Sequence, residues 1–167
     1  NDPCATEAQD PAWYFASETR ALAEQGHEIA SHTFGHLYVR GVSPAQLKED
    51  LELWNSSAQA LGLPPARTFA FPWTSSNSLD ASFWTVFEQV GMTVLTRIYG
   101  PNVRHKYELD RVKDAPDLIV FPDFYLASNA TALDEALARI DVTVASRGYH
   151  SLWDHPNEAL EQDGQVV

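Results

Sequence analysis

The sequence has one cysteine, one methionine and no hydrophobic run long enough to cross a bilayer. The lone Cys4 excludes an internal disulfide framework and any cysteine-rich zinc site. No apolar stretch approaches the roughly 20 residues that a transmembrane helix needs. We therefore expect no membrane insertion, and we expect any metal site to use nitrogen or oxygen ligands.

Basic residues are also scarce, since 11 Lys and Arg face 23 Asp and Glu, for a net charge of -12. Such a surface repels a phosphate backbone, so nucleic acid is not an expected partner. A neutral or cationic ligand, or a divalent cation, suits this field better, although acidity can also serve solubility alone. The 167 residues are 44% hydrophobic, enough for one domain with a core.

Apolar periodicity alternates between helices and short strands. Strands are predicted at 27–31, 67–73, 92–96, 117–121 and 148–153. Helices are predicted at about 11–25, 44–61 and 80–90 and from 131 to about 144, and residues 97–116 are predicted to form a long loop. Strands separated by amphipathic helices favour parallel pairing, and so an α/β sheet or barrel.

Polar clusters follow three of these strands, where α/β folds gather their working residues. The clusters are His32 and His36, Trp73 and Thr74, and Asp154 and His155. All three are expected at the same edge of the sheet, because parallel strands end on one side.

The segment "EIASHTFGH" (28–36) places His32 and His36 four residues apart. Two imidazoles at this spacing can face one ion if the loop after the strand turns helical. Neutral imidazole suits zinc, cobalt or nickel. A catalytic site normally has three protein ligands and an open position for water, so a third ligand would have to come from elsewhere. The spacing is equally compatible with ordinary strand-end or core histidines.

Three segments, in order, resemble motifs of the polysaccharide deacetylases (carbohydrate esterase family 4, the NodB-homology domain). "ALAEQGHEIASHTFGH" (21–36) is similar to their second motif, in which a helix and "GHEI" precede His-Ser/Thr-x-x-His. "FAFPWTSSN" (69–77) is similar to the third motif, and "SLWDHP" (151–156) to the last. The resemblance implies an incomplete or distorted (β/α) barrel with fewer than eight strands. It also implies a metal-dependent hydrolase that removes N- or O-acetyl groups from a polysaccharide such as an N-acetylglucosamine polymer.

The resemblance also assigns roles to individual residues. His32 and His36 become metal ligands, with zinc as the expected ion and cobalt or nickel as alternatives, and His155 becomes the general acid to the leaving amine. The implied substrate-binding residues are Pro72, Trp73, Thr74 and Trp153. Arg111, in "LDRVKD", is the candidate for an arginine that orients a catalytic carboxylate. The implied partner is an acetylated polysaccharide, and the implied location is extracellular or at the cell envelope.

The sequence departs from the family pattern in several places. Nothing matches the family's first motif, an Asp-Asp pair that supplies the general base and the third metal ligand, and the fourth motif is not recognisable. Thr74 stands where the third motif has glycine, and Ala70 where many members have arginine. We therefore expect residues 1–167 to form a single deacetylase-like domain that is a fragment truncated at both ends. Its activity then depends on an Asp pair supplied upstream.

Two alternatives remain open. A catalytically inactive carbohydrate-binding module on the same scaffold would explain the departures. A different metallohydrolase would complete its site with His32, His36 and a local acid, either Asp123 or Asp154.

Overall fold

The computed structural model describes residues 16–98, 109–121, 123–125, 132–153, 161–162 and 165–166. Within these ranges the chain is a mixed α/β structure with four helices and eight strands. The helices are α1 (Ala16–Glu24), α2 (Pro44–Ala60), α3 (Ala81–Gln89) and α4 (Ala132–Ser146). The strands are β1 (Thr68–Ala70), β2 (Val94–Thr96), β3 (Asp110–Val112), β4 (Ala115–Val120), β5 (Asp123–Tyr125), β6 (Ser151–Trp153), β7 (Glu161–Gln162) and β8 (Gln165–Val166).

The main sheet has the strand order β1-β2-β4-β3. β1, β2 and β4 run parallel, and β3 pairs antiparallel with β4 at one edge. At the other edge Ser31 forms a single parallel bridge with Phe69. The residues after Ser31, β1, β2 and β4 therefore emerge on the same side of the sheet, as the sequence predicts.

The predicted ends of α2 and α3 are confirmed. Ser43 caps α2 with a capping box: its side chain accepts from Gln46 N while the Gln46 side chain accepts from Ser43 N. Asp80 caps α3 by accepting from Ser82 N. Both helices start where the sequence supplies a polar side chain for an otherwise unpaired backbone N–H.

The core is built on a triangle of phenylalanines. Phe69 and Phe71 of the β1 segment and Phe87 of α3 are fully buried, with ring centroids 4.8 to 5.5 Å apart. Phe69 and Phe71 share one face because side chains alternate along an extended segment. Ala70, between them, turns its side chain to the other face. The core thus anchors β1 beneath the residues that follow it.

Two predicted elements differ from the structure, and the strand β5 was not predicted. The predicted strand at 27–31 is reduced to the bridge at Ser31, because the segment contacts β1 over one residue only. The predicted loop at 97–116 was wrong at its C-terminal end, where β3 forms a hairpin with β4. β3 is an exposed edge strand of three residues, so no apolar alternation marks it. β5 lies directly after β4 and pairs with β6, which the sequence did not indicate.

The pairings of the described strands form one four-stranded and two two-stranded sheets, and they do not close into a barrel. None of the helices in the described ranges is long and apolar enough to cross a membrane. That residues 1–167 form a single, truncated domain stays a prediction.

Candidate active site

The histidine loop is held by an acid from α2. The Asp50 carboxylate accepts the backbone N–H of Phe34 at 2.7 Å and that of Gly35 at 2.8 Å. These two residues lie between His32 and His36, so one carboxylate fixes the backbone that separates the two imidazoles. Asp50 lies beside the buried positions Leu47 and Leu51 of its helix, which anchor it to the core.

The loop brings the two rings together without being helical. Thr33 and His36 have positive φ values of 66° and 52°, so the loop does not make the helical turn through which this spacing could face one ion. The Thr33 hydroxyl accepts the N–H of Leu37 at 2.8 Å and closes the turn locally. The His32 and His36 ring centroids are 5.0 Å apart, edge to face. The i, i+4 spacing therefore brings the rings close through a left-handed bend, not through helical periodicity.

His32 is oriented by the end of β1. Its Nδ1 lies 2.8 Å from the carbonyl oxygen of Ala70. Because a carbonyl only accepts, Nδ1 carries the proton, and in the neutral ring Nε2 then has the lone pair. This is the tautomer that a histidine needs to ligate a metal through Nε2, with the other nitrogen held by a backbone carbonyl.

Trp73 lies next to the pair in the turn Pro72–Thr74 that follows β1. Its ring centroid is 5.1 Å from that of His36, and 65% of the residue is exposed. Trp73 and Thr74 both have positive φ, 55° and 50°. Such conformations cost on the order of 1–3 kcal/mol each and persist only where the surroundings enforce them. The Trp73 ring thus borders the two histidines and is carried by a turn whose backbone is strained.

Ser75 braces this turn from below. Its hydroxyl donates to the Pro72 carbonyl at 2.7 Å and accepts the N–H of Val39 at 3.1 Å. Pro72, Ser75 and Val39 are all buried. The bond joins the Trp73 turn to the segment that follows His36, so the two loops are fixed relative to each other.

A charged pair, Arg97 and Asp123, stands just after β2 and at the start of β5. The Arg97 guanidinium donates to the Thr74 hydroxyl at 3.2 Å through Nη2. Burial raises the pKa of the Asp123 carboxyl, and the backbone N–H and the charge of Arg97 offset only part of that rise. Burial likewise lowers the pKa of Arg97, against the opposing effect of Asp123. The pair is therefore partly desolvated, next to the Trp73 turn.

The histidine pair fits a divalent metal in its chemistry but supplies only two donors. Imidazole nitrogens suit zinc, cobalt or nickel, and the tautomer of His32 is the appropriate one. Among the residues that the structure describes, no group of three His, Cys, Asp or Glu side chains could hold a metal ion. Asp123 thus does not complete such a group with the histidines, and Asp154 lies outside the described residues.

The comparisons with known proteins bear on this site. A family model described as polysaccharide deacetylase matches residues 5–95, more than half of the 167. The chain belongs to the polysaccharide deacetylase family. The matched range contains the histidine loop, β1 and the Trp73 turn, which are the parts of the site that the structure brings together.

One solved structure is similar to this family member: a family 4 carbohydrate esterase from Streptomyces lividans in complex with acetate. The two share 17% identity over 92% of this chain and 76% of that chain, with a TM-score of 0.45. No curated protein sequence matches the chain.

Of the other predicted site residues, Arg111 is an exposed residue of the edge strand β3 in this family member. Its guanidinium donates to the carbonyl of Pro116 within the same hairpin, and it lines a cavity of about 450 Å³ beside that hairpin. Trp153 ends β6, where its backbone is paired with Tyr125 of β5. His155 lies outside the described residues. The roles assigned to these three residues stay predictions.

Sequence reasoning missed Asp50, Ser75 and Arg97. Asp50 borders the apolar stripe of α2, where a carboxylate is unusual, and that is a usable signal. No sequence signal marks Arg97 or Ser75, because their partners lie 23 and 36 residues away along the chain.

Proposed function

We propose that this protein is a metal-dependent hydrolase that removes N- or O-acetyl groups from a polysaccharide such as an N-acetylglucosamine polymer. The observation that carries the proposal is the His32–His36 pair, whose rings lie 5.0 Å apart with His32 Nδ1 bonded to the Ala70 carbonyl. In a member of the polysaccharide deacetylase family, such a preset pair suits a metal better than it suits packing. The exposed Trp73 ring alongside it offers a flat apolar face to a sugar.

His32 and His36 would hold the ion, with zinc expected and cobalt or nickel as alternatives. When bound, the ion supplies Lewis-acid chemistry, polarising the acetyl carbonyl and making a water molecule more acidic. Asp50 and the Ala70 carbonyl orient the two imidazoles. Trp73 and Thr74 border the substrate on the β1 side, above the buried Pro72, and Trp153 is proposed to border it from β6.

The remaining steps need groups beyond these. We propose that His155 protonates the leaving amine and that an Asp pair upstream supplies the general base and the third ligand. In this proposal the domain is an incomplete (β/α) barrel of the deacetylase type, and it acts outside the cell or at the envelope.

The test combines zinc titration with acetate release. The full chain, His32→Ala and His36→Ala are titrated with zinc by calorimetry, with His27→Ala as the control, since His27 is an exposed histidine before the bridge. Zinc binding that is lost in the first two variants and kept in His27→Ala supports the metal site, and sub-micromolar affinity would mean that the third ligand lies within residues 1–167. Equal binding by all four proteins contradicts it.

Acetate release from N-acetylglucosamine oligomers and from acetylated xylan then tests the reaction. Release that depends on His32 and His36 supports the enzyme. Saccharide binding without release, in a protein that binds zinc, favours the alternative of an inactive carbohydrate-binding module. The exposed Trp73 ring supports this second function as well, because an aromatic face binds a sugar whether or not the site is catalytic.

A further inference from the structure

The segments that follow three neighbouring parallel strands meet in one network at the site edge. Thr74 follows β1, Arg97 follows β2, and Asp123 follows β4 as the first residue of β5. The Arg97 guanidinium donates to the Thr74 hydroxyl at 3.2 Å, and the Asp123 carboxylate accepts the backbone N–H of Arg97. The three loops are thus tied across the sheet edge by one arginine.

The loops that this network ties together are strained. Trp73, Thr74 and Arg97 have φ values of 55°, 50° and 56°. A β-branched residue such as Thr74 is a true outlier in the left-handed region. The Thr74 backbone is held by bonds from Thr74 N to the Phe71 carbonyl at 3.3 Å and from Ser76 N to the Thr74 carbonyl at 3.0 Å, both within the same segment. The side-chain bond to Arg97 is the constraint on Thr74 that comes from a neighbouring strand end.

The position of Trp73 depends on that constraint. Since 65% of Trp73 is exposed, core packing does not fix its ring, and the backbone of the turn must do so. The ring centroid nevertheless lies 5.1 Å from that of His36.

We infer that Arg97 is a positioning residue: by bonding Thr74 it holds the left-handed turn and sets the Trp73 ring beside His36. Asp123 supports the role by fixing the Arg97 backbone. The consequence for saccharide binding rests on the proposed function, whereas the positioning itself does not. In this role Arg97 acts on the Trp73 ring through the turn.

The experiment reads the Trp73 indole directly. The chain has five tryptophans, and in ¹⁵N-labelled protein the indole cross-peak that disappears in Trp73→Phe belongs to Trp73. Thr74→Val removes the hydroxyl and Arg97→Ala removes the guanidinium, so each variant lacks the bond between residues 74 and 97. Thr74→Ser keeps the hydroxyl. Arg67→Ala is the matched control, because Arg67 is an exposed arginine at the opposite end of β1.

The Trp73 cross-peak is expected to shift or broaden in Thr74→Val and Arg97→Ala, while the other four indoles stay in place. It is expected to be unchanged in Thr74→Ser and Arg67→Ala. If Arg97→Ala does not fold, Thr74→Val alone decides the matter. An unmoved Trp73 cross-peak in folded Thr74→Val overturns the inference.

Saccharide titration of the same proteins separates this inference from the proposed function. Affinity for N-acetylglucosamine oligomers is expected to fall about threefold to tenfold in Thr74→Val, the range typical of one lost aromatic contact. Zinc affinity is expected to stay constant. A shifted Trp73 cross-peak in a protein that binds no saccharide supports the positioning role and contradicts the proposed function.

Discussion

The Asp50 carboxylate accepts the backbone N–H of Phe34 at 2.7 Å and so joins α2 to the loop between the two histidines. The partners are 16 residues apart in sequence. The bond is charge-assisted, and the other carboxylate oxygen accepts the next N–H along the loop, an arrangement that restricts the backbone more than a single neutral bond would. The spacing of His32 and His36 in space therefore depends on a residue in a different element.

Removing the Asp50 carboxylate is expected to weaken zinc binding. Asp50→Ala frees the backbone N–H groups of Phe34 and Gly35, so the imidazoles lose their fixed separation. Residues that orient metal ligands typically contribute about 10–100-fold in affinity, and we expect a loss in that range by calorimetry. Amide exchange at Phe34 and Gly35 should become faster whether or not zinc is present.

Two further variants control for other effects of the Asp50 change. Asp50→Asn keeps one acceptor oxygen and should lie between wild type and Asp50→Ala. Glu49→Ala removes an exposed acid from the neighbouring position of the same helix. Equal zinc affinity in Asp50→Ala and Glu49→Ala would show that the bonds from Asp50 to the histidine loop are not needed for metal binding.

Ser75→Ala is expected to destabilise the fold. The change removes the acceptor for the N–H of Val39, and both residues are buried. A buried donor left without a partner costs about 1–3 kcal/mol. Denaturant unfolding measures this loss, and Ser56→Ala serves as the control because Ser56 is exposed on α2. Loss of no more than about 0.5 kcal/mol, as is usual for a surface substitution, would contradict the bracing role.

Ser43→Ala is expected to lower the free energy of unfolding by about 1 kcal/mol, since it removes the N-cap acceptor of α2. α2 carries Asp50, so fraying of its first turns would also loosen the histidine loop. Ser43→Asp preserves an acceptor at the cap and should retain most of the stability. Unfolding of Ser43→Asp and Ser43→Ala at the same denaturant concentration would contradict the capping role of Ser43.

Asp123→Asn is expected to change how stability depends on pH. Burial raises the pKa of Asp123 above its ordinary 3.8. Between that value and the raised one, the folded protein holds a proton that the unfolded chain has lost, so wild-type stability falls as pH rises through this window. Asn cannot ionise and does not undergo this loss.

The difference in unfolding free energy between Asp123→Asn and wild type should therefore favour the variant more at neutral pH than below pH 3.8. Denaturant unfolding at a series of pH values gives the difference, and contributions from all other groups cancel. A difference that is constant with pH, or that slopes the other way, would show that Arg97 compensates the buried charge fully.

Much of the fold could be predicted because it rests on local patterns. The capping box at Ser43, the apolar stripe of α2, and the apolar residues of α3 before Gly91 specify two helices within a few residues each. Short apolar runs also predicted β1, which lies between those helices, and β2 and β4, which follow them. The hairpin of β3 was missed because an exposed edge strand of three residues buries little, so no hydrophobic period marks it.

The sequence by itself determined the alternation of helices and strands, the sheet edge at which the residues after Ser31 and β1 emerge, and the four-residue spacing of His32 and His36. Only the tertiary structure decided how those histidines meet, through a left-handed bend held by Asp50, and how Trp73 is set beside them over the buried Ser75. Local propensity follows from the residues of one segment. Positive φ values and side-chain bonds across 16 to 36 residues arise only when packed elements enforce them.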